Sequence, residues 1–353
     1  MTELFLQLVR LGIGHEIKFL PEAVDWLKIN NLAKRHGLYA VVLDGIERLP
    51  YNIRPPQEML LEWIGEVLHD YEYHYEQYTK AISELAGLYN SYGYKMMVLK
   101  GYVCSLDWLK PNHRPCGDID IWQFGEYKKA DALVASKLRI EIDNSHHHHT
   151  VFYWHDFAVE NHYDFINVYH HKSHSRLERL LKELGQDDCH YVKVNGEIVY
   201  IPSPNLHALF LLKHTMLHFV SGEINLRQIL DWAFFVEKHH EEVDWKWLMD
   251  VLEEYGMSSA LNIFNAICME DLGFDAGIFP CVQFDPTVKD RVLKEIIYFE
   301  STNEGPTALF ARVVYRYRRW RKSGWKHELC YKESMWSDFW YGIWGHMLKP
   351  ASI

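Results

Sequence analysis

The sequence has no C-x-x-C pair. Its six cysteines, Cys104, Cys116, Cys189, Cys268, Cys281 and Cys330, are scattered singly. That excludes a zinc ribbon and a thioredoxin-like motif, and single thiols in a long chain suit a reducing compartment. No apolar run is long enough to cross a membrane as a helix, so no membrane span is expected. The opening MTELFLQLVRLGIGHEIKFL lacks the basic start, apolar middle and small-residue cleavage site of a secretory signal. Basic residues are also short: 37 Lys+Arg against 48 Asp+Glu give a net charge of −11. A chain of that sign is a poor general binder of duplex nucleic acid, because neutralising phosphates dominates such affinity. There is no internal repeat, and the only low-complexity stretch is His146-His147-His148-His149. These absences lead us to expect a soluble cytoplasmic protein.

Aromatics and histidines are plentiful: 13 Trp, 22 Tyr, 17 Phe and 22 His in 353 residues. At 48% hydrophobic and 24% charged, the chain is globular in composition and long enough for more than one core. Texture divides it into three parts: a helical region over 1–93, a mixed α and β core over 94–201, and a helical domain over 202–353. In the first part, the apolar spacing from Glu58 to Tyr92 predicts one long helix, closed by Ser91-Tyr92-Gly93. In the second, Met96 to Leu99 predicts a buried strand, followed by Lys100-Gly101 and a helix from Tyr102 to Leu109. Strands are further expected at Asp118–Trp122, Leu138–Ile142, Thr150–Trp154 and Phe157–Tyr163, with a helix over Glu126–Ser136. Asn195-Gly196 between Tyr191–Val194 and Glu197–Ile201 is a hairpin signal. After Pro202 and Pro204, helices are expected at His207–Val220, Leu226–His239, Trp245–Tyr255, Ser258–Leu272 and Pro286–Phe299, and the end, Leu309–Lys326, is basic and aromatic.

The chemistry concentrates in Leu99-Lys100-Gly101 and in Arg114-Pro115-Cys116-Gly117-Asp118-Ile119-Asp120. Two residues apart on a strand, Asp118 and Asp120 would point to one face, with Cα atoms ~6.5–7 Å apart. Carboxylates so placed can share two divalent ions, as in-line phosphoryl or nucleotidyl transfer requires. Mg²⁺ suits few carboxylates completed by water and substrate phosphates, with Mn²⁺ as the substitute. Gly101, opening a helix after a strand, would offer backbone amides to a triphosphate, and Lys100 a point charge. A D-x-D pair alone is commonly a solvated strand face; here it follows Gly117 and a strand–glycine–helix unit.

That order, an apolar strand, L-K-G, a helix, then R-x-x-G-D-I-D-I, resembles the nucleotidyltransferase superfamily of DNA polymerase β. More closely, it resembles a bacterial branch labelled uncharacterised nucleotidyltransferases. Val24-Asp25-Trp26-Leu27 with Ala33-Lys34-Arg35-His36-Gly37, Val159-Glu160-Asn161-His162-Tyr163, and Ile201-Pro202-Ser203-Pro204 with His214, His218, Leu226-Arg227 and Asp231 extend the resemblance over about residues 20–240. The resemblance implies an α+β fold, a polymerase β-like mixed sheet flanked by N- and C-terminal helical regions. It also implies metal-dependent transfer of a nucleoside monophosphate from an NTP to a hydroxyl acceptor, with pyrophosphate leaving. Asp118, Asp120 and Glu160 would be the metal-binding catalytic carboxylates, with Asp164 competing for the third place. Lys100, Gly101, Arg114 and Gly117 would line the phosphates. The superfamily's Gly-Ser turn is Lys100-Gly101 in this sequence, a feature the closer branch shares.

Other clusters have plainer readings. His146–His149 near Asp143 and His155 could hold a transition metal, but an exposed turn is the simpler expectation. Arg227 and Asp231, at i and i+4, suggest an ion pair within one helix, and His214 and His218 a packed helix face. The basic, aromatic run Arg312–Lys326 could hold a nucleic acid, or close the C-terminal domain as an amphipathic helix. Beside the transferase reading stands a non-catalytic nucleotide-binding or protein-partner module on the same fold.

Overall fold

The computed structural model describes residues 2–17, 24–169, 171–187, 190–280, 283–298 and 309–348. The fold is mixed α and β, as expected, with one mixed six-stranded sheet and many helices. No helix among the described residues is long and apolar enough to cross a membrane. Packing divides the chain into two compact units. The first holds Met1–Tyr71, Trp108–Arg114 and Leu211–Met335; the second holds Glu72–Asp107, Pro115–Phe210 and Trp336–Ile353.

The second unit carries the sheet. Its strands are β1 (Met97–Val98), β2 (Ile119–Trp122), β3 (His149–Trp154), β4 (Phe157–His162), β5 (His190–Val194) and β6 (Glu197–Ile201), in the order β3-β4-β2-β1-β6-β5. β2 runs parallel to β4 and β1 parallel to β6, while the β1–β2, β3–β4 and β5–β6 pairs are antiparallel. Asn195 and Gly196, both at positive φ (49° and 94°), make the expected tight turn between β5 and β6. Ile119, Ile121 and Val159 face a core built with Tyr78, Ile82, Leu85 and Tyr89 of helix His74–Ser91 and with Ala130 and Val134 of helix Tyr127–Leu138. Each fully buried aliphatic contributes about 1.5–3 kcal/mol. By strand alternation, Asp120 and Trp122 point to the other face. There Trp122 lies against Gly185 of helix His174–Asp187.

Three expectations need correction. Leu138–Ile142 is no strand: Leu138 ends a helix, and Asp143 makes only an isolated bridge to Val151. The helix after Gly101 is one turn, Tyr102–Ser105, rather than reaching Leu109. The long helix breaks register, with a π-helical stretch Val67–Tyr73 between Gln57–Glu66 and His74–Ser91. Helix His174–Asp187 escaped the sequence reading altogether. Its Leu177 and Leu181, four apart and buried, were the available signal.

The first unit is helical. Three of its helices begin at side-chain caps, with Asp25 accepting from the Lys28 amide, Asp244 from Trp247 and Asp285 from Thr287, and at a fourth the Gln228 side chain reaches back to accept the Asn225 amide at 3.0 Å. Asp231 does not pair with Arg227 as expected. Its carboxylate takes Arg114 in a two-pronged pair (2.7 and 2.8 Å) and the Trp108 indole at 2.9 Å, all buried. Of the basic run, Arg318, Arg321 and Lys322 on helix Leu309–Lys322 are exposed, while Lys326 is buried on Glu295 at 2.6 Å. The side chains of Arg312, Arg316 and Arg319 lie outside the described residues.

His36 supplies a pH test of this unit. Its Nε2–H donates to the Ile297 carbonyl (3.2 Å) and its Nδ1 accepts from the Leu226 amide (3.2 Å), so the fold uses the neutral ring. Burial holds its pKa down at about 4, against 6.5 when free. A depressed pKa gives stability that is whole above 6.5 and is lost as pH falls towards 4, about 3 kcal/mol in all. Urea unfolding across that window should show the loss in the parent and a shallower slope in His36→Gln. Equal slopes would remove His36 from the account.

Candidate active site

The site is built on β2 and β4 of the second unit. Parallel pairing puts Asp120 directly beside Glu160, and Trp122 beside His162. Because alternate residues share a face, Asp120, Glu160 and His162 converge. One ligand atom from each lies within 4.8 Å of the others. Asp120 is buried, and its Oδ1 receives Lys100 Nζ at 2.8 Å and His162 Nε2–H at 3.0 Å. His162 Nε2 is 3.5 Å from Glu160 Oε2, and its Nδ1–H donates to the Asp164 carbonyl at 3.2 Å. Asp118 sits at the bend just before β2, exposed.

The electrostatics follow from crowding. Burial opposes the Asp120 carboxylate, but Lys100 and His162 overcome it and hold its pKa well below the carboxylate range. The Asp120 charge, with some desolvation, pushes Asp118 up despite Lys100. Glu160 is lowered: burial resists, and the His162 hydrogen bond wins. Burial likewise opposes a charged His162, yet bonds to Asp120 and Glu160 raise it to about 9. Lys100 is raised because Asp120, Asp118 and Glu160 outweigh its desolvation. Three carboxylates against one ammonium and one imidazolium leave a net negative pocket.

A turn holds these groups. Gly101 has φ +58°, a conformation that L side chains rarely adopt. A Cβ there would stand 2.4 Å from the Tyr78 hydroxyl. That hydroxyl donates to the Asp118 carbonyl at 2.8 Å. His74 Nε2–H donates to the Cys116 carbonyl at 2.9 Å, and Tyr75 hydrogen-bonds Ser105 at 2.8 Å. One helix face therefore fixes both the Gly101 turn and the approach to β2. The helix that follows is a single turn, Tyr102–Ser105, and carries little dipole.

The other expected residues fall as follows. Gly117 is exposed, and a Cβ on it would meet open space. Arg114 belongs to the first unit, where its charge is committed to Asp231. Asp164 lies beyond the end of β4 and is paired with Lys182, so strand alternation does not carry it to Asp120's side. His162 was legible as sharing a face with Glu160, but its bond to Asp120 was not. Glu178, missed with its helix, anchors the segment after β4 by accepting the Phe165 and Ile166 amides at 3.0 Å each. A separate cavity of about 490 Å³, lined by Tyr127, Lys128, Asp131, Thr150 and Tyr163 among others, includes none of the carboxylate cluster.

The donors fit a divalent cation. Asp120 Oδ2 is buried and receives no hydrogen bond, leaving an acceptor facing no donor. The mutual repulsion of Asp118 and Asp120 is what a cation would relieve.

The family described as "Uncharacterised nucleotidyltransferase" matches residues 22–272. Among solved structures, the chain is similar to an antigenic nucleotidyltransferase-like protein from Paracoccidioides brasiliensis. Identity is 15%, TM-score 0.36, and coverage 57% of this chain and 95% of that one. No curated protein matches.

Two outcomes test the geometry. Gly101→Ala should lower the melting temperature and loosen the Asp118 bend, while Gly93→Ala, with open space around it, keeps the bend; hydrogen exchange across 115–120 reads the difference. In cation-free protein, the His162 ring should titrate near 9 by NMR. Its raised pKa gives stability that is complete below 6.5 and is lost as pH rises through about 9. A ring titrating at its free value would contradict the Asp120 bond.

Proposed function

This chain belongs to the uncharacterised nucleotidyltransferase family, and we propose that it moves a nucleoside monophosphate from an NTP to a hydroxyl acceptor, releasing pyrophosphate. The observation that carries the reading is the register of β2 against β4, which sets Asp120 beside Glu160 at the mouth of the Lys100-Gly101 turn. In this reading Asp118, Asp120 and Glu160 hold Mg²⁺, or Mn²⁺ in its place, as a pair of ions. The ions, when bound, neutralise the triphosphate and the leaving pyrophosphate. Residues 94–201 are the proposed transferase core, with 1–93 and 202–353 as helical flanks. A cytoplasmic location belongs to the same proposal, supported by Cys104, Cys116, Cys268 and Cys330, which are buried thiols rather than disulfides.

The chain's own residues have separable tasks. Lys100, paired with Asp120 at 2.8 Å, would supply its ammonium charge to the β and γ phosphates. The Gly101 turn presents backbone to the same phosphates without a side chain in the way. Glu160 orients the acceptor hydroxyl and helps take its proton. Gly117, open on one side, leaves room for the nucleotide to approach. Asp164 and Arg114 are left outside this mechanism because both charges are already paired.

The test is pyrophosphate release from labelled NTPs, with cell extract as the source of acceptor. Asp120→Asn should lower the rate by at least ~10²-fold, the scale of losing a positioned charge at a reacting phosphate. Lys100→Met should weaken NTP binding. NTP binding without pyrophosphate release under any acceptor would instead make the protein a nucleotide-binding module.

A further inference from the structure

The histidine run was expected to be an exposed turn; His146 is exposed, but the bend passes through half-buried His147 and His148 to a buried His149. His149 is the first residue of β3 and is buried, and its antiparallel partner is His162. The two rings lie 5.2 Å apart. The His148 ring lies 4.4 Å from His149 and 5.5 Å from His162. One nitrogen from each of the three lies within 4.8 Å of the others. We propose that His148, His149 and His162 bind a borderline transition-metal dication of the zinc type, beside the carboxylates.

Four observations carry this. First, the donors are imidazoles, which select zinc-like ions where carboxylates and water select Mg²⁺. Zinc–nitrogen bonds of about 2.0–2.1 Å need nitrogens roughly 3.3 Å apart, so modest ring rotations from the present spacing close the site. Second, the backbone is held in place. The His148 carbonyl accepts both the Tyr163 and Asp164 amides (3.0 and 3.1 Å), and the Tyr163 hydroxyl donates to the His146 carbonyl at 2.8 Å. A turn already fixed loses little entropy when it binds. Third, His162 donates Nδ1–H to the Asp164 carbonyl, the outer contact that orients a metal-ligating ring, so that Nε2 becomes the ligand atom when the ion displaces the proton it now shares with Asp120. Fourth, Glu160 Oε2 stands 3.8 Å from His149 Nδ1, close enough to supply charge or a fourth ligand. His146 and His147 are outside the group: their rings contact His149 and Tyr169 respectively.

This inference does not depend on nucleotide transfer, and its test uses no nucleotide. The full-length protein, stripped with chelator, is titrated with Co²⁺ alone and followed by its visible absorption, then challenged with Zn²⁺. One equivalent should bind with the intense bands of a low-coordinate, nitrogen-rich site, and Zn²⁺ should abolish them. His149→Gln and His148→Asn should each weaken binding at least ~10-fold, the lower end for losing a contact at a metal centre. The double variant His146→Asn/His147→Asn should bind as the parent does. Circular dichroism checks that each variant folds, and the less buried His148→Asn carries the test if His149→Gln does not. No binding by the parent overturns the proposal. So does an equal loss in the His146/His147 variant, which marks adventitious capture by a histidine tract. A failed pyrophosphate assay leaves the cobalt result standing, and the converse holds as well.

Discussion

A carboxylate with almost no access to water must be compensated, and Asp120 is such a group. Moving a carboxylate into protein costs several kcal/mol even after relaxation. The fold meets that cost with Lys100 and His162, both on the same oxygen, and leaves the second oxygen without a donor. An arrangement built only for stability would have satisfied both oxygens or used an apolar residue. The unsatisfied oxygen, the neighbouring Glu160 and the repelled Asp118 together concentrate negative charge that a bound cation would relieve.

The rest of the second unit serves to keep that charge cluster in place. Ile119, Ile121 and Val159 anchor the strands from the core side, so alternation forces Asp120, Glu160 and His162 to the other. His74, Tyr75 and Tyr78 pin the turn and the bend from one helix. Glu178 holds the chain after β4, where the Asp164 carbonyl orients His162. The same strand end brings the histidine run against His162. Two kinds of donor, carboxylate and imidazole, therefore meet at His162.

Much of this was legible in the sequence, for physical reasons. Period-two alternation and the L-K-G and G-D-I-D segments located β1, β2 and the position of Asp120 on β2, and Asn195-Gly196 fixed a hairpin by its backbone requirement alone. The helices from Leu226 to Tyr255 were read to the residue, because caps and Gly256 bound them. What was not legible depends on contacts distant in sequence. Asp231 chose Arg114 over its helical neighbour Arg227 because a buried carboxylate favours a planar two-pronged partner. His149 turned inward because strand pairing with His162 begins there. Lys100 and His162 meet Asp120 across turns and strands whose relative placement no local pattern encodes.

The central claim is that, without a divalent ion, a protonated imidazole and an ammonium stand where positive charge belongs. Proton release measures this directly. Mg²⁺ added to unbuffered, cation-free protein near pH 8 should displace the His162 proton, held there by a pKa of about 9, and release close to one proton per protein. The release should vanish in His162→Gln. Saturable Mg²⁺ binding with no proton released, or with release unchanged in that variant, would contradict the account.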